Sequence, residues 1–191
     1  MDQLGSSGAS RVSRSSWVPG ADAGPASGSP ARRVIVGVSG TLGNLAAVHA
    51  AAAEARRTHA QFVPVLAWAP VGGEVAYARA PCSPLLHIWQ ADASRRLRTA
   101  LLDAFGGLPP GVVTAPILVR GAPGSSLVRI ADRADDLLVV GTGRRGHLLR
   151  PWRGSVARYC ERRAGCAVLR VPAPDLIELL RRPVPAPTAW A

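Results

Sequence analysis

Lysine is missing from this chain: all twenty-three basic residues are arginine. A lysine-free sequence has no Gly-Lys-Ser/Thr phosphate loop, so the P-loop nucleotide-hydrolysing class is excluded. A genome-wide codon preference accounts for the choice of arginine over lysine but leaves the charge imbalance unexplained, twenty-three bases against twelve acids and a formal net charge of +11. Cysteine is scarce and odd in number. Cys82, Cys160 and Cys166 lack zinc-type spacing, which suits a reducing compartment and speaks against a metal centre. No apolar run approaches the roughly eighteen residues of a membrane span. Residues 1–30 carry neither the basic start nor the continuous apolar core of a secretory signal. The expectation is a cytoplasmic protein with no membrane association. No Ser-His-Asp set or pair of carboxylates is legible, so a dedicated catalyst is not expected.

The charge that is present is concentrated. Residues 141–171 hold eight arginines and one acid, supplying +7 of the +11, while the rest of the chain is near balance. Within this region, LVVGTGRRGHLLRPWRGSVARYCERR (138–163) runs from an apolar segment ending at Gly141, through a glycine- and arginine-rich loop, into a helical pattern from Gly154 and Ser155. A strand, an anion-friendly loop and a helix start make a phosphate cradle. The first amides of a helix lack intrahelical partners, the helix dipole favours an anion, and glycines let the backbone come close. Arg144, Arg145, Arg150 and Arg153 repel one another unless an anion or open solvent relieves them. Arg158, Arg162 and Arg163 are expected on a solvated helix face.

The rest of the chain supplies the scaffold. Residues 1–31, rich in Ser, Gly, Ala and Pro, bury too little apolar surface to offset ordering and are expected as a flexible extension. Residues 34–38 (VIVGV) predict a strand buried on both faces, turning at Ser39-Gly40-Thr41. Residues 44–59 predict an Ala-rich helix capped by Asn44. Residues 62–68 predict a second strand in which Pro64 removes a ladder donor, so that pairing is one-sided or the strand starts late. Residues 70–84 predict a covering loop. Residues 85–105 predict a helix with Leu85, Ile88, Trp89, Leu97, Ala100, Leu101 and Ala104 inward, ended by Gly106-Gly107. Then come a strand over 112–119, a helix over 125–133, a strand over 137–140, a helix from 154 to about 163 and a strand over 167–171. A short helical pattern spans 175–182 inside a C-terminal tail, residues 173–191. Strand alternating with helix predicts an α/β fold, a parallel sheet with helices on both faces and right-handed crossovers.

VIVGVSG near the start, RGAP after the third expected strand and VVGTGRRGHLLRPWRGSVARYCERRAGCAVLRVP at the end together resemble the universal stress protein family over residues 32–172. The resemblance implies a doubly wound, Rossmann-like five-stranded parallel sheet of order 3-2-1-4-5. It also implies the nucleotide-binding loop Gly-x2-Gly-x9-Gly-(Ser/Thr). Gly141 matches the first glycine and Gly154-Ser155 the closing pair, while Arg144 stands at the middle glycine and Ser39 where ATP-binding members carry aspartate. By resemblance, Val38, Ser39 and Gly40 line the adenosine side, Val65 presents backbone to the base and Gly121 approaches the ribose. Gly141, Arg144, Gly154, Ser155 and Val156 surround the phosphates.

The function so implied is that of an ATP-binding regulatory protein in stress adaptation. It is not an enzyme beyond at most slow ATP hydrolysis, Mg2+ enters only with bound ATP, and the protein is a homodimer through the edge carrying residues 167–171. Two alternatives remain open at this point. One is a nucleotide-free member that docks partner proteins, an acidic partner among them. The other is a polyanion or nucleic-acid binder using the basic loop 141–163, with Trp152 as its lone stacking residue.

Overall fold

The computed structural model describes residues 12–13, 32–39, 42–142 and 155–173. Gly40, Arg144, Gly154 and the 175–182 segment lie outside the described residues.

Five strands form a parallel sheet: β2 (Arg33–Gly37), β3 (Gln61–Trp68), β4 (Ile117–Arg120), β5 (Leu137–Thr142) and β6 (Ala167–Pro172). Counted from β2, their order is the expected 3-2-1-4-5, β4-β3-β2-β5-β6. A two-residue strand, β1 (Val12–Ser13), adds antiparallel to the outer edge of β4, a pairing absent from the sequence reading. The helices are α1 (Leu42–Thr58), α2 (Gly73–Arg79), α3 (Ser83–Phe105), α4 (Pro123–Ile130) and α5 (Val156–Arg163).

Val34, Ile35 and Val36 are buried in succession because helices cover both faces of the sheet. On one face lie α1 and α3 with Val34, Val36, Phe62, Leu66 and Val139; on the other lie α4 and α5 with Ile35, Val63, Val65, Leu138 and Val140. Helix α1 presents Ala47, Ala51, Ala52 and Ala55 to the sheet, small side chains that let a helix axis approach closely. In α3 the inward positions are Ala93, Leu97, Ala100 and Leu101. Leu85 and Ile88, expected inward, are 44% and 61% exposed, because the face of α3 that packs on the core runs through Leu86 and Trp89 to Ala93 and Leu97 and leaves them off it. The expected loop 70–84 contains α2, which buries no residue. Glu74 clamps it to Arg120 through two hydrogen bonds, 2.9 and 2.6 Å. Gly106 ends α3 as expected, left-handed at φ 70°.

Pro64 is fully buried within β3. Gln61 N donates to Arg32 O and Val38 N to Val65 O, whereas Phe62 N donates to Val113 O and Gly121 N to Trp68 O. Odd positions therefore bond toward β2 and even ones toward β4, so the donor that Pro64 lacks belongs to the β4 side. There the ladder is interrupted, with an isolated bridge at Phe62–Thr114 before regular pairing resumes at Val65–Ile117. One-sided pairing is how the strand tolerates the proline, and it explains why β4 starts later than residue 112.

At the amino ends of the strands an ion-pair cluster joins β2 to the turn before β5. Arg33 Nε and Nη2 donate to Asp136 Oδ1 and Oδ2 at 2.8 and 2.5 Å, and Nη2 also reaches Asp132 Oδ1 at 2.6 Å. Asp136 accepts the Arg133 amide as well (3.1 Å). Its side chain is 0% and that of Arg33 16% exposed, so removing one partner strands a desolvated charge.

Asp136→Ala is expected to destabilise the fold by about 3 kcal/mol, read from the midpoint of urea unfolding. The Arg33 hydrogen bond holds the Asp132 carboxyl below its ordinary range against the opposing pull of desolvation. A depressed folded-state pKa contributes stability above the unfolded-state value and loses it as pH falls through the folded-state value. Asp132→Asn is therefore expected to lower stability at neutral pH and to flatten its decline on the acid side of the carboxylate range, measured by urea midpoints against pH.

Candidate functional site

Strand β2 has β3 on one side and β5 on the other, and the chain leaves β2 for α1 on one face and β5 for α5 on the other. This reversal opens a crevice beyond the carboxyl ends of the strands, the position where open parallel sheets bind ligands. A cleft of about 390 Å³ occupies it. Its walls are apolar, with Val38 and Leu66 from the α1/α3 face and Val65, Leu127 and Val140 from the α4/α5 face. Gly37 lies in its floor, where an added Cβ would come within 2.9 Å of Leu127 Cδ1.

Of the residues expected at the site, Val38, Ser39, Val65, Gly141, Ser155 and Val156 line this one cleft. Gly121 is not among the lining residues; at φ 146° it carries the turn from β4 to Pro123, which does line it. Val65 contributes less backbone than expected, since its carbonyl accepts the Val38 amide at 2.7 Å. Ala67 is the next β3 residue turned toward β2, so past the end of β2 its amide and carbonyl face the cleft in place of those of Val65.

Asn44 is not an N-cap. It lies inside α1, 8% exposed, with Oδ1 accepting the Ser39 amide at 2.9 Å and Nδ2 donating to Gly37 O at 2.7 Å. The side chain thus staples the backbone that leaves β2 and shapes the cleft floor. An Asn just after a glycine-rich turn was the available signal, and it serves a cap and a staple equally well.

Ser155 is the N-cap residue of α5, as expected, but its hydroxyl makes no capping bond. Its carbonyl accepts the Tyr159 amide at 3.0 Å, so the amides of Val156, Ala157 and Arg158 begin the helix without intrahelical acceptors. The direction of α5 is set by its packing on α4. A Cβ on Gly124 would come within 2.8 Å of Tyr159 Cδ1, so glycine there lets the ring lie against α4. The dipole and these amides give the cleft a positive pole at Ser155 and Val156. Arg96 of α3 adds a cation to the lining, a residue that sequence reasoning did not assign to the site.

Neither Cys160 nor Cys166 is an activated thiol. Burial pushes Cys160 up to about 11, and burial likewise raises Cys166. Among the described residues no group of three or more His, Cys, Asp or Glu is placed to hold a metal, and no helix is long and apolar enough to cross a membrane.

The family model "Universal stress protein family" matches residues 30–172. Among solved structures, a hypothetical protein described as a test case of structural genomics superposes with a TM-score of 0.59 at 16% identity, covering 77% of this chain and 99% of its own. The universal stress protein UspA of Lactobacillus plantarum gives 0.54 at 21% identity, covering 75% and 99%. A universal stress protein in complex with cAMP gives 0.49 at 27% identity, covering 76% and 100%. No curated protein matches the chain.

Asn44→Leu leaves the Ser39 amide and the Gly37 carbonyl without their side-chain partner in a largely buried setting. The expected loss is about 2 kcal/mol in chemical denaturation.

Proposed function

The chain belongs to the universal stress protein family, and on that premise we propose that it binds a nucleotide, ATP, in the cleft at the ends of β2, β3 and β5. In this role it acts as a ligand-dependent regulatory protein in stress adaptation rather than as a dedicated enzyme, with any hydrolysis slow and Mg2+ entering only with ATP. The observation that carries the reading is the pairing of an apolar slot with a helix N-terminus in one crevice. Val38, Val65 and Leu66 supply a surface for a flat base, and Ala67 offers the backbone to hydrogen-bond its edge. Ser155 and the first amides of α5 face the phosphates. The sequence adds Gly141 at the mouth of the loop and, outside the described residues, Gly40, Arg144 and Gly154. Ser39 brings an uncharged hydroxyl, able to hydrogen-bond, where the resemblance places an aspartate in ATP-binding members.

β6 ends the sheet order with its outer edge unpaired among the described residues, and Leu169 is 41% exposed there. We propose that two chains associate through this edge, which sedimentation of the purified protein tests directly.

Ser155→Asp separates ligand binding from folding. An aspartate at an N-cap is at least as good for the helix as serine, yet it sets a carboxylate where the phosphate is to lie. The unliganded variant is expected to melt at or above the wild-type temperature, while ATP affinity falls at least tenfold by calorimetry. Wild-type protein whose melting temperature ignores millimolar ATP would overturn the nucleotide reading.

A further inference from the structure

The cleft straddles the sheet, and its two cationic features stand on opposite faces. The α5 N-terminus belongs to the face built with Leu127, Ala157 and Cys160. Arg96 comes from α3, whose Ala93, Leu97 and Ala100 pack with Val38 and Leu66 on the other face. A nucleotide with its phosphates at α5 must cross the strand ends, so its nucleoside end lies toward α3.

Arg96 has the chemistry to meet that end. Its Nε donates to Asp92 Oδ2 at 3.0 Å, and Asp92 is shared with Arg95. The guanidinium is thereby oriented by one edge, and the side chain is still 55% exposed. The group is planar, stacks on aromatic faces and has N–H donors for ring nitrogens. Val38 and Leu66 line the cleft on the same face of the sheet as Arg96, so apolar surface and a planar cation are available at this end. Asn44, also at this end, has its amide oxygen and nitrogen both committed to backbone.

We propose that Arg96 is a ligand-binding residue of the cleft that covers and hydrogen-bonds the base of the nucleotide, so that it acts on the nucleoside and not on the phosphates. The inference rests on the nucleotide reading above.

Calorimetric titration of wild type, Arg96→Gln and Arg96→Lys with adenosine and with ATP tests it, with melting temperatures as the check on folding. Because Arg96 is half exposed and outside the core, both variants are expected to melt like wild type. Arg96→Gln is expected to weaken adenosine and ATP by the same factor, about fivefold to tenfold, and Arg96→Lys, which keeps the charge but loses the plane, to behave like it. Ser155→Asp gives the contrasting pattern, ATP weakened and adenosine unchanged. Loss confined to ATP in Arg96→Gln, unchanged affinity for both ligands, or full recovery in Arg96→Lys would each overturn the proposal while leaving the nucleotide reading standing. Wild-type protein that binds neither ligand would overturn both.

Discussion

The side-by-side pairing of β2 with β5 is the constraint on which the rest of the molecule depends. These strands are far apart in sequence, and the Arg33–Asp136 ion pair closes their amino ends where the side chains are nearly dry. With the lower end closed, the chain leaves the upper ends in opposite directions, to α1 on one face and to α5 on the other. The crevice follows from that divergence. A slip of β2 against β5 would exchange the buried faces of Val34, Ile35 and Val36 and move the α5 N-terminus away from Val38.

The cleft is built by backbone as much as by side chains. Asn44 spends both ends of its amide on Gly37 and Ser39, Gly37 leaves room for Leu127, and Gly124 makes room for Tyr159 at the start of α5. None of these residues needs to touch a ligand to matter. Each holds a piece of backbone where an amide or a carbonyl becomes available. The apolar walls, Val38 and Leu66 on one side and Val65, Leu127 and Val140 on the other, are extensions of the two cores.

Much of the scaffold was legible because its signals are local. The β-branched run at 34–36 needs two covered faces, Gly106 stops α3, and Ser155 holds the N-cap position of α5. Misreadings arose where a residue pattern fits two environments. Leu85 and Ile88 were expected with the buried set of α3, yet the face that reaches the core carries Leu86 and Trp89 with Ala93 and Leu97, and an apolar residue one position off that face stays in solvent. Pro64 looked like a defect because a sequence does not show that its missing donor faces a break in the neighbouring strand. Asn44 has the chemistry of a cap and is used one turn further in.

By itself the sequence determined the alternation of the five parallel strands with their principal helices, which follows from hydrophobic period and turn residues that act within a few positions along the chain. The family was legible by resemblance, in VIVGVSG, RGAP and the segment from Val139 to Pro172. Only the tertiary structure decided that the Val65 carbonyl is taken by the Val38 amide and that Ala67 and Arg96 join the lining of the cleft. Those outcomes depend on strand register and on the packing of α3 across β3, contacts between residues tens of positions apart that no local pattern encodes.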